Sequence, residues 1–272
     1  MRNIPISALI GLFFTGLYFL GAIFAQLIAP YGVAEVVGDV WEPSSAEHLL
    51  GTDNIGRDLL SRMIFGGQTT IFIAATATLL SFTTGSILGF TAAVTDGWVD
   101  QALSRFIDLI ISLPTLIFAL VVLSVMPVTV FVLIVLMGFL DSTRVFRLAR
   151  AVAVDINVMD YVEAARLRGE KTAWITFREI LPNALSPLVA EMGLRFIFMV
   201  LFVSTLSFLG LGIQPPAADW GGIVKENKDG IVYGIPAALV PAIAIATLAI
   251  SVNLVADWIL NRTTSLKGGR GG

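Results

Sequence analysis

Charge vanishes from the chain in four long runs, residues 3–34, 63–95, 109–140 and 230–256, and returns in short bunches between them. About 20 apolar residues in a helix cover the roughly 30 Å of hydrocarbon in a bilayer, so each run is long enough to cross one. The first predicts a span over 7–28, and the Gly66-Gly67 pair predicts a break before a second span over 68–94. A single helix from 105 to 148 would be about 66 Å long at 1.5 Å per residue, twice what a bilayer requires. Two spans are therefore expected there, 104–125 and 128–148, turning at Pro127. A polar segment over 150–186 separates them from spans over 188–211 and 235–260. Backbone groups in lipid must be satisfied within their own segment, and these runs lack the alternation of a barrel strand, so helices are the expected form.

The reading is an all-α membrane protein with six transmembrane helices. Its expected divisions are 1–67 (first helix plus an external segment), 68–262 (five helices with a cytoplasmic loop over 150–187 and an external loop over 212–234) and a cytoplasmic tail over 263–272. Composition agrees, because 56% hydrophobic and 14% charged residues in 272 exceed what one soluble core of this size needs. Arg2 before an apolar run suggests a signal peptide. The run over 4–29 is longer than a usual signal core and has no clear small-x-small cleavage site before Gln26, so a retained helix is expected.

Orientation follows from Lys and Arg. With the N-terminus inside, twelve basic residues (Arg2, Arg105, Arg144, Arg147, Arg150, Arg166, Arg168, Lys171, Arg178, Arg262, Lys267 and Arg270) lie at or near the cytoplasm, against four outside (Arg57, Arg62, Lys225 and Lys228). Both termini are then cytoplasmic. A net charge of -3 without a basic tail gives no reason to expect nucleic acid, and the absence of cysteine removes disulfides and thiolate metal sites.

Three stretches carry more specific information. In the long cytoplasmic loop, Asp160 and Glu163 are spaced as a capping box, Gly169 sits where a left-handed cap ends a helix, and a second helix from about Thr172 is expected to stop before Pro182. Ala164 and Ala165 make one helix face small, with Glu163, Arg166 and Arg168 around it, a composition suited to docking. On the outer side, His48 through Arg62 places Gly51 and Gly56 around a Thr52-Asp53-Asn54 turn, with Thr52 or Asp53 available to cap a short helix. His48, Asp53 and Asp58 are also metal-ligand types, although they suit turns and caps equally. The third stretch, Gly210-Leu-Gly212-Ile-Gln214-Pro215-Pro216 to Trp220-Gly221, lets a helix end and turn near the outer face. Gly210-x-Gly212 is no dinucleotide fingerprint, since no strand precedes it.

The spacing Glu163-Ala164-Ala165, three residues, Gly169, then Leu181-Pro182 resembles the cytoplasmic signature loop of ABC importer permeases. One departure is that Glu179 stands where a hydrophobic residue is usual, with Ile180 one place later. The stretch with His48, Gly51, Thr52, Asp53, Gly56, Arg57, Asp58 and Arg62, and that with Gly210, Gly212, Gln214, Pro215, Pro216, Trp220 and Gly221, resemble the C-type subunit of dipeptide, oligopeptide and nickel permeases. The resemblance implies that the helix carrying Asp160, Tyr161, Glu163, Ala164, Ala165, Arg166 and Arg168 docks in a groove on an ATPase. It also implies a homologous B-type permease, two cytoplasmic ATPases carrying ATP and magnesium, an external solute-binding protein, and location in the inner membrane. The chain itself has no phosphate-binding glycine loop with Lys-Ser/Thr, so no cofactor is expected on it.

Gly85-x-x-x-Gly89 permits close helix contact, within the chain or between subunits. Asp108, Asp141, Arg144, Glu191, Arg195 and Asp257 are costly in lipid, and either line a pathway or pair and snorkel; Glu191 and Arg195 have pairing spacing. A secondary carrier would more often show mid-membrane ionisable groups or broken inverted repeats. An intramembrane enzyme would need a catalytic constellation, and His48 is the sole histidine.

Overall fold

In the computed structural model, residues 4–95 and 97–268 are described, with side chains through Asn261. Arg2 and Arg270, counted above for orientation, lie outside the described residues, as do the side chains of Arg262 and Lys267. Among the described residues there is no strand, only two isolated bridges, Val36 with Arg57 and Thr52 with Asp58. The helices are α1 (Ile6–Ile23), α2 (Ala25–Ile28), α3 (Leu59–Thr95), α4 (Trp98–Ser112), α5 (Thr115–Val125), α6 (Val130–Asn157), α7 (Asp160–Leu167), α8 (Thr172–Ile175), α9 (Leu181–Phe208), α10 (Trp220–Asn227) and α11 (Leu239–Gly268).

Among the described residues, four helical stretches are long and apolar enough to cross a membrane: Ile6–Ile23, Leu59–Thr95, Thr172–Phe208 and Pro236–Asn261. The pair α4 and α5 also passes, bent by 82°. The expected unbroken span over 104–125 is thus replaced by an elbow. Pro114 has no N–H to donate and forces the preceding residue out of helical geometry, and Leu113 is indeed extended at φ -82°, ψ 132°. Helix α6 has the length of a span, but its apolar stretch Val130–Leu140 is followed directly by Asp141, Arg144 and Arg147.

The expected break at Gly66-Gly67 does not occur, and α3 runs straight through both. Their missing side chains serve packing instead. A Cβ at Gly67 would meet the Trp220 ring at 2.9 Å, and one at Gly66 would meet Ile223 Cδ1 at 2.9 Å. Nor does the chain stop before Pro182. Helix α8 passes through a π turn (Thr176–Ile180) directly into α9, so the helix runs on past Pro182, whose missing N–H and ring fall just after the wider π turn.

Two compact units result. The first comprises the chain up to Ala75, Val122–Leu133 and Phe196–Val255. Here α1 closes on α11: Gly11 approaches the Ser251 carbonyl, and the Tyr18 and Thr247 hydroxyls lie 2.5 Å apart. The second unit comprises Thr76–Val121, Ile134–Arg195 and the chain from Ala256. Its core joins Phe82 and Phe90 of α3, Val145, Ala149 and Ala153 of α6, and Val162, Ala165, Ile175 and Ile180 from α7, α8 and the π turn. Gly85 and Gly89 both press on α6, meeting Val145 and Ala149, so the small-x-x-x-small pattern is used within the chain.

Candidate functional site

Two sites can be built from the sequence motifs, one in each unit. In the second unit, α7 exposes and buries alternate parts of its surface. Val162 and Ala165 are fully buried in the core, while Tyr161, Glu163, Ala164, Arg166, Leu167 and Arg168 are exposed. Complete burial of a valine side chain contributes about 1.5–3 kcal/mol, enough to hold so short a helix in place. Adjacent residues in a helix point about 100° apart, so the two alanines divide: Ala165 faces the chain's own core and Ala164 faces outward. The expected capping box is absent. Met159 is the N-cap, without a side-chain cap bond, and Asp160 is already helical.

The other end follows expectation closely. Gly169 has φ +80°, its N–H donates to the Arg166 carbonyl at 2.9 Å, and the Glu170 N–H donates to the Ala165 carbonyl at 3.2 Å. That pair of bonds is a Schellman cap, and it turns the chain from α7 into α8. Around the turn lie strongly exposed apolar side chains, Val158, Leu167 and Phe177. Leu181 and Pro182 begin α9 rather than ending a separate helix.

The same unit holds a polar group among apolar surroundings. Arg195 Nε donates to Glu191 Oε1 at 2.9 Å, as the i, i+4 spacing anticipated, and Arg195 Nη1 lies 3.6 Å from Asp141 Oδ1. The Ser81 hydroxyl donates to Asp141 Oδ2 at 3.1 Å. Arg147 pairs with Asp108 at 2.6 Å, both largely exposed.

In the first unit, the His48–Arg62 motif forms a buried ionic cluster. Asp53 is completely buried; its Oδ1 accepts the Ile55 and Arg57 amides, and its Oδ2 accepts Arg57 Nε at 2.7 Å and Arg62 Nη1 at 2.5 Å. Both guanidiniums also reach Glu226 of α10, at 2.7 and 2.6 Å. The helix cap expected from Thr52 or Asp53 is made by Asp58, whose Oδ2 accepts the Ser61 N–H at 2.7 Å at the start of α3. Thr52 instead donates to the Asp39 carbonyl. His48 Nδ1 lies 3.2 Å from Asp58 Oδ1, inside the fold. Every carboxylate oxygen of Asp53 and Asp58 thus has a protein partner, and among the described residues no group of His, Cys, Asp or Glu is arranged to hold a metal ion.

The third motif packs against the second. Gly210 (φ +91°) ends α9, Pro215-Pro216 is a cis bond, and Gln214 Nε2 donates to the Gly212 carbonyl at 2.8 Å. Trp220 is buried with its indole N–H on the Met63 carbonyl at 3.0 Å, and a Cβ on Gly221 would collide with Ser204. Asn227 Oδ1 accepts from Trp41 Nε1 at 3.1 Å and from the Asn54 N–H at 3.0 Å. Sequence reasoning missed Glu226 and Asn227, because their partners lie far off in the chain.

Burial raises the Asp219 carboxyl above its usual 3.8, opposed in part by the Gly222 N–H it caps. Burial likewise raises Glu226, with Arg57 opposing. For Asp219 the folded state holds the proton more tightly than the unfolded chain, so stability falls as pH rises from 3.8 through the raised folded value. Asp219→Asn keeps an acceptor for Gly222 and removes the titration. Melting temperature against pH, measured in detergent, is expected to lose that downward slope in the variant; identical slopes would refute it.

Comparison with known proteins gives one consistent picture. The family model described as binding-protein-dependent transport system inner membrane component matches residues 85–265. A putative peptide transport system permease protein of Brucella suis is 37% identical over 222 residues, covering 80% of this chain and 74% of that protein. The di/tripeptide transport system permease protein of Pseudomonas aeruginosa is 32% identical over 260 residues, covering 93% and 86%. The glutathione transport system permease protein of Pectobacterium atrosepticum is 30% identical over 241 residues, covering 88% and 80%.

Proposed function

This chain belongs to the family of binding-protein-dependent transport system inner membrane components, and from that premise we propose that it forms one half of the translocation pore of an ATP-binding-cassette importer of short peptides. It is a multi-pass inner-membrane protein and a permease subunit, not a catalyst. The names carried by its relatives, peptide, di/tripeptide and glutathione transport, favour a short peptide over a nickel complex as cargo.

In this reading six segments cross the membrane, with α4–α5 as one bent crossing and α6 as another, and both termini are cytoplasmic. The segment 1–67 supplies the first helix and external part, 68–262 the permease core, and 263–272 a tail. A homologous B-type permease completes the pore, two ATPases hold ATP and magnesium, and an external binding protein delivers cargo. The carrying observation is α7, anchored inward by Val162 and Ala165 and offering Glu163, Ala164, Leu167 and Arg168 outward beside the Gly169 turn. ATPase closure moves α7 and reopens the pore from the inner to the outer side. Nucleotide achieves this only by favouring one global state, and a swing from 1:99 to 99:1 needs about 5.5 kcal/mol of preference.

Reconstitution of the chain with its partner subunits in liposomes tests the reading. Uptake of labelled di- and tripeptides is expected only with ATP, magnesium and the binding protein together. Cargo accumulating with no nucleotide-hydrolysing partner present would overturn it.

A further inference from the structure

The last residue of α6, Asn157, is buried and uses both ends of its carboxamide. Its Oδ1 accepts Arg166 Nη2 of α7 at 2.6 Å, and its Nδ2 donates to the Ala93 carbonyl at 3.2 Å. Ala93 lies in the final turn of α3, where carbonyls have no partner within their own helix. One side chain therefore joins the ends of three helices: α6 by its backbone, α7 through Arg166, and α3 through Ala93.

The covalent chain already ties α7 to α6, across only Val158 and Met159. It gives no such tie to α3, whose end at Thr95 is far from α7 in sequence. Apolar contact through Phe90 and Ala93 brings α3 into the same core, but such contact is non-directional and tolerates sliding. A hydrogen bond fixes register. Beside the joint is a cleft of about 600 Å³, lined by Asn157 with Val154, Val158, Glu163, Arg166 and Leu167, so one side of the contact is free of packing.

We propose that Asn157 is a positioning residue for transport: it locks the end of α3 to the docking helix α7, so that displacement of α7 is delivered to α3 as well as to α6. The proposal rests on the coupling role given to α7 above and adds the route by which movement leaves it. Arg166 thereby gains an inward task, holding the joint, in addition to its place on the exposed helix.

The test uses the whole transporter in liposomes, measuring ATP hydrolysed per peptide taken up. Asn157→Ala removes both bonds, and the ratio is expected to rise about five- to tenfold, the scale of one or two buried hydrogen bonds. Asn157→Asp separates the links: a carboxylate still accepts from Arg166, more strongly, but has no proton to donate to the Ala93 carbonyl. The same rise in Asn157→Asp, with its melting temperature close to that of the parent, supports the α3 link and excludes general loosening. A normal ratio in Asn157→Asp overturns the proposal, even if Asn157→Ala fails to assemble. Glu163→Lys run in parallel keeps the two levels apart. If it uncouples while Asn157→Asp does not, the joint is wrong and the coupling role stands; if neither uncouples, both fall.

Discussion

Replacing Gly169 with proline, or Glu163 with lysine, is expected to leave the protein in the membrane and to cut ATP-driven uptake sharply while the partner ATPases continue to hydrolyse. The two changes reach this result by different routes. Gly169 sits at φ +80°, which proline, fixed near -65°, does not adopt. Proline also deletes the N–H that closes the cap on the Arg166 carbonyl. The turn between α7 and α8 is lost, and α7 no longer presents its outer face in a defined direction. A Cβ at Gly169 would meet nothing within 4 Å, so Gly169→Ala suffers only the left-handed strain of about 1–2 kcal/mol and keeps partial coupling. Glu163 is exposed and its side chain makes no hydrogen bond or ion pair among the described residues, so Glu163→Lys tests the docking surface without disturbing the fold. Each 1.4 kcal/mol of lost preference between states shifts their balance tenfold, and uptake is expected to fall by at least about that factor. Uptake and hydrolysis measured on the same proteoliposomes decide the matter; normal transport in both variants would contradict the docking role.

Asp53→Ala is expected to be the most destructive single change in the His48–Arg62 segment. It leaves the buried Arg57 and Arg62 guanidiniums sharing Glu226 alone, and removal of one partner from a buried ionic group typically costs about 3–5 kcal/mol. That is a large part of a marginal protein's stability, so the amount of folded protein in the membrane should collapse. Replacing the whole cluster behaves differently. With Asp53→Leu, Arg57→Met, Arg62→Met and Glu226→Gln combined, no unpaired charge of the cluster remains, and expression should recover relative to Asp53→Ala. Quantitative recovery from membranes checks both. If Asp53→Ala accumulates normally, the cluster does not hold the His48–Arg62 segment to α10.

The apolar runs were legible because lipid imposes one requirement on every residue of a span, and the chain answers it with unbroken hydrophobicity. The Gly169 turn was legible for a similar reason, since a left-handed cap is a local demand met by one residue type. Gly66-Gly67 misled because glycine has two uses: locally it reads as a break, but here it is a notch for Trp220, more than 150 residues further on. Pro182 misled in the same way, since the π turn before it lets the helix continue past a residue that reads locally as a stop. Pro114 was overlooked beside Pro127, although both interrupt the same apolar stretch. The ionic cluster drew attention to the right residues but suggested turns and caps, because Asp53 and Arg62 acquire meaning only when Glu226 arrives from the other end of the chain. Asn157 carried no local signal at all; an asparagine near a helix end is ordinary, and its two partners come from elements that only tertiary structure brings together.

The passage from α8 into α9 bears on where a long helix yields. Thr172–Phe208 is 37 residues, about 55 Å of helical path at 1.5 Å per residue, with a π turn at Thr176–Ile180 and Pro187 inside α9. Sharp kinks in helices fall at prolines and π turns. Bending along this stretch is therefore concentrated between Thr176 and Pro187, as a wrist gives before a forearm does.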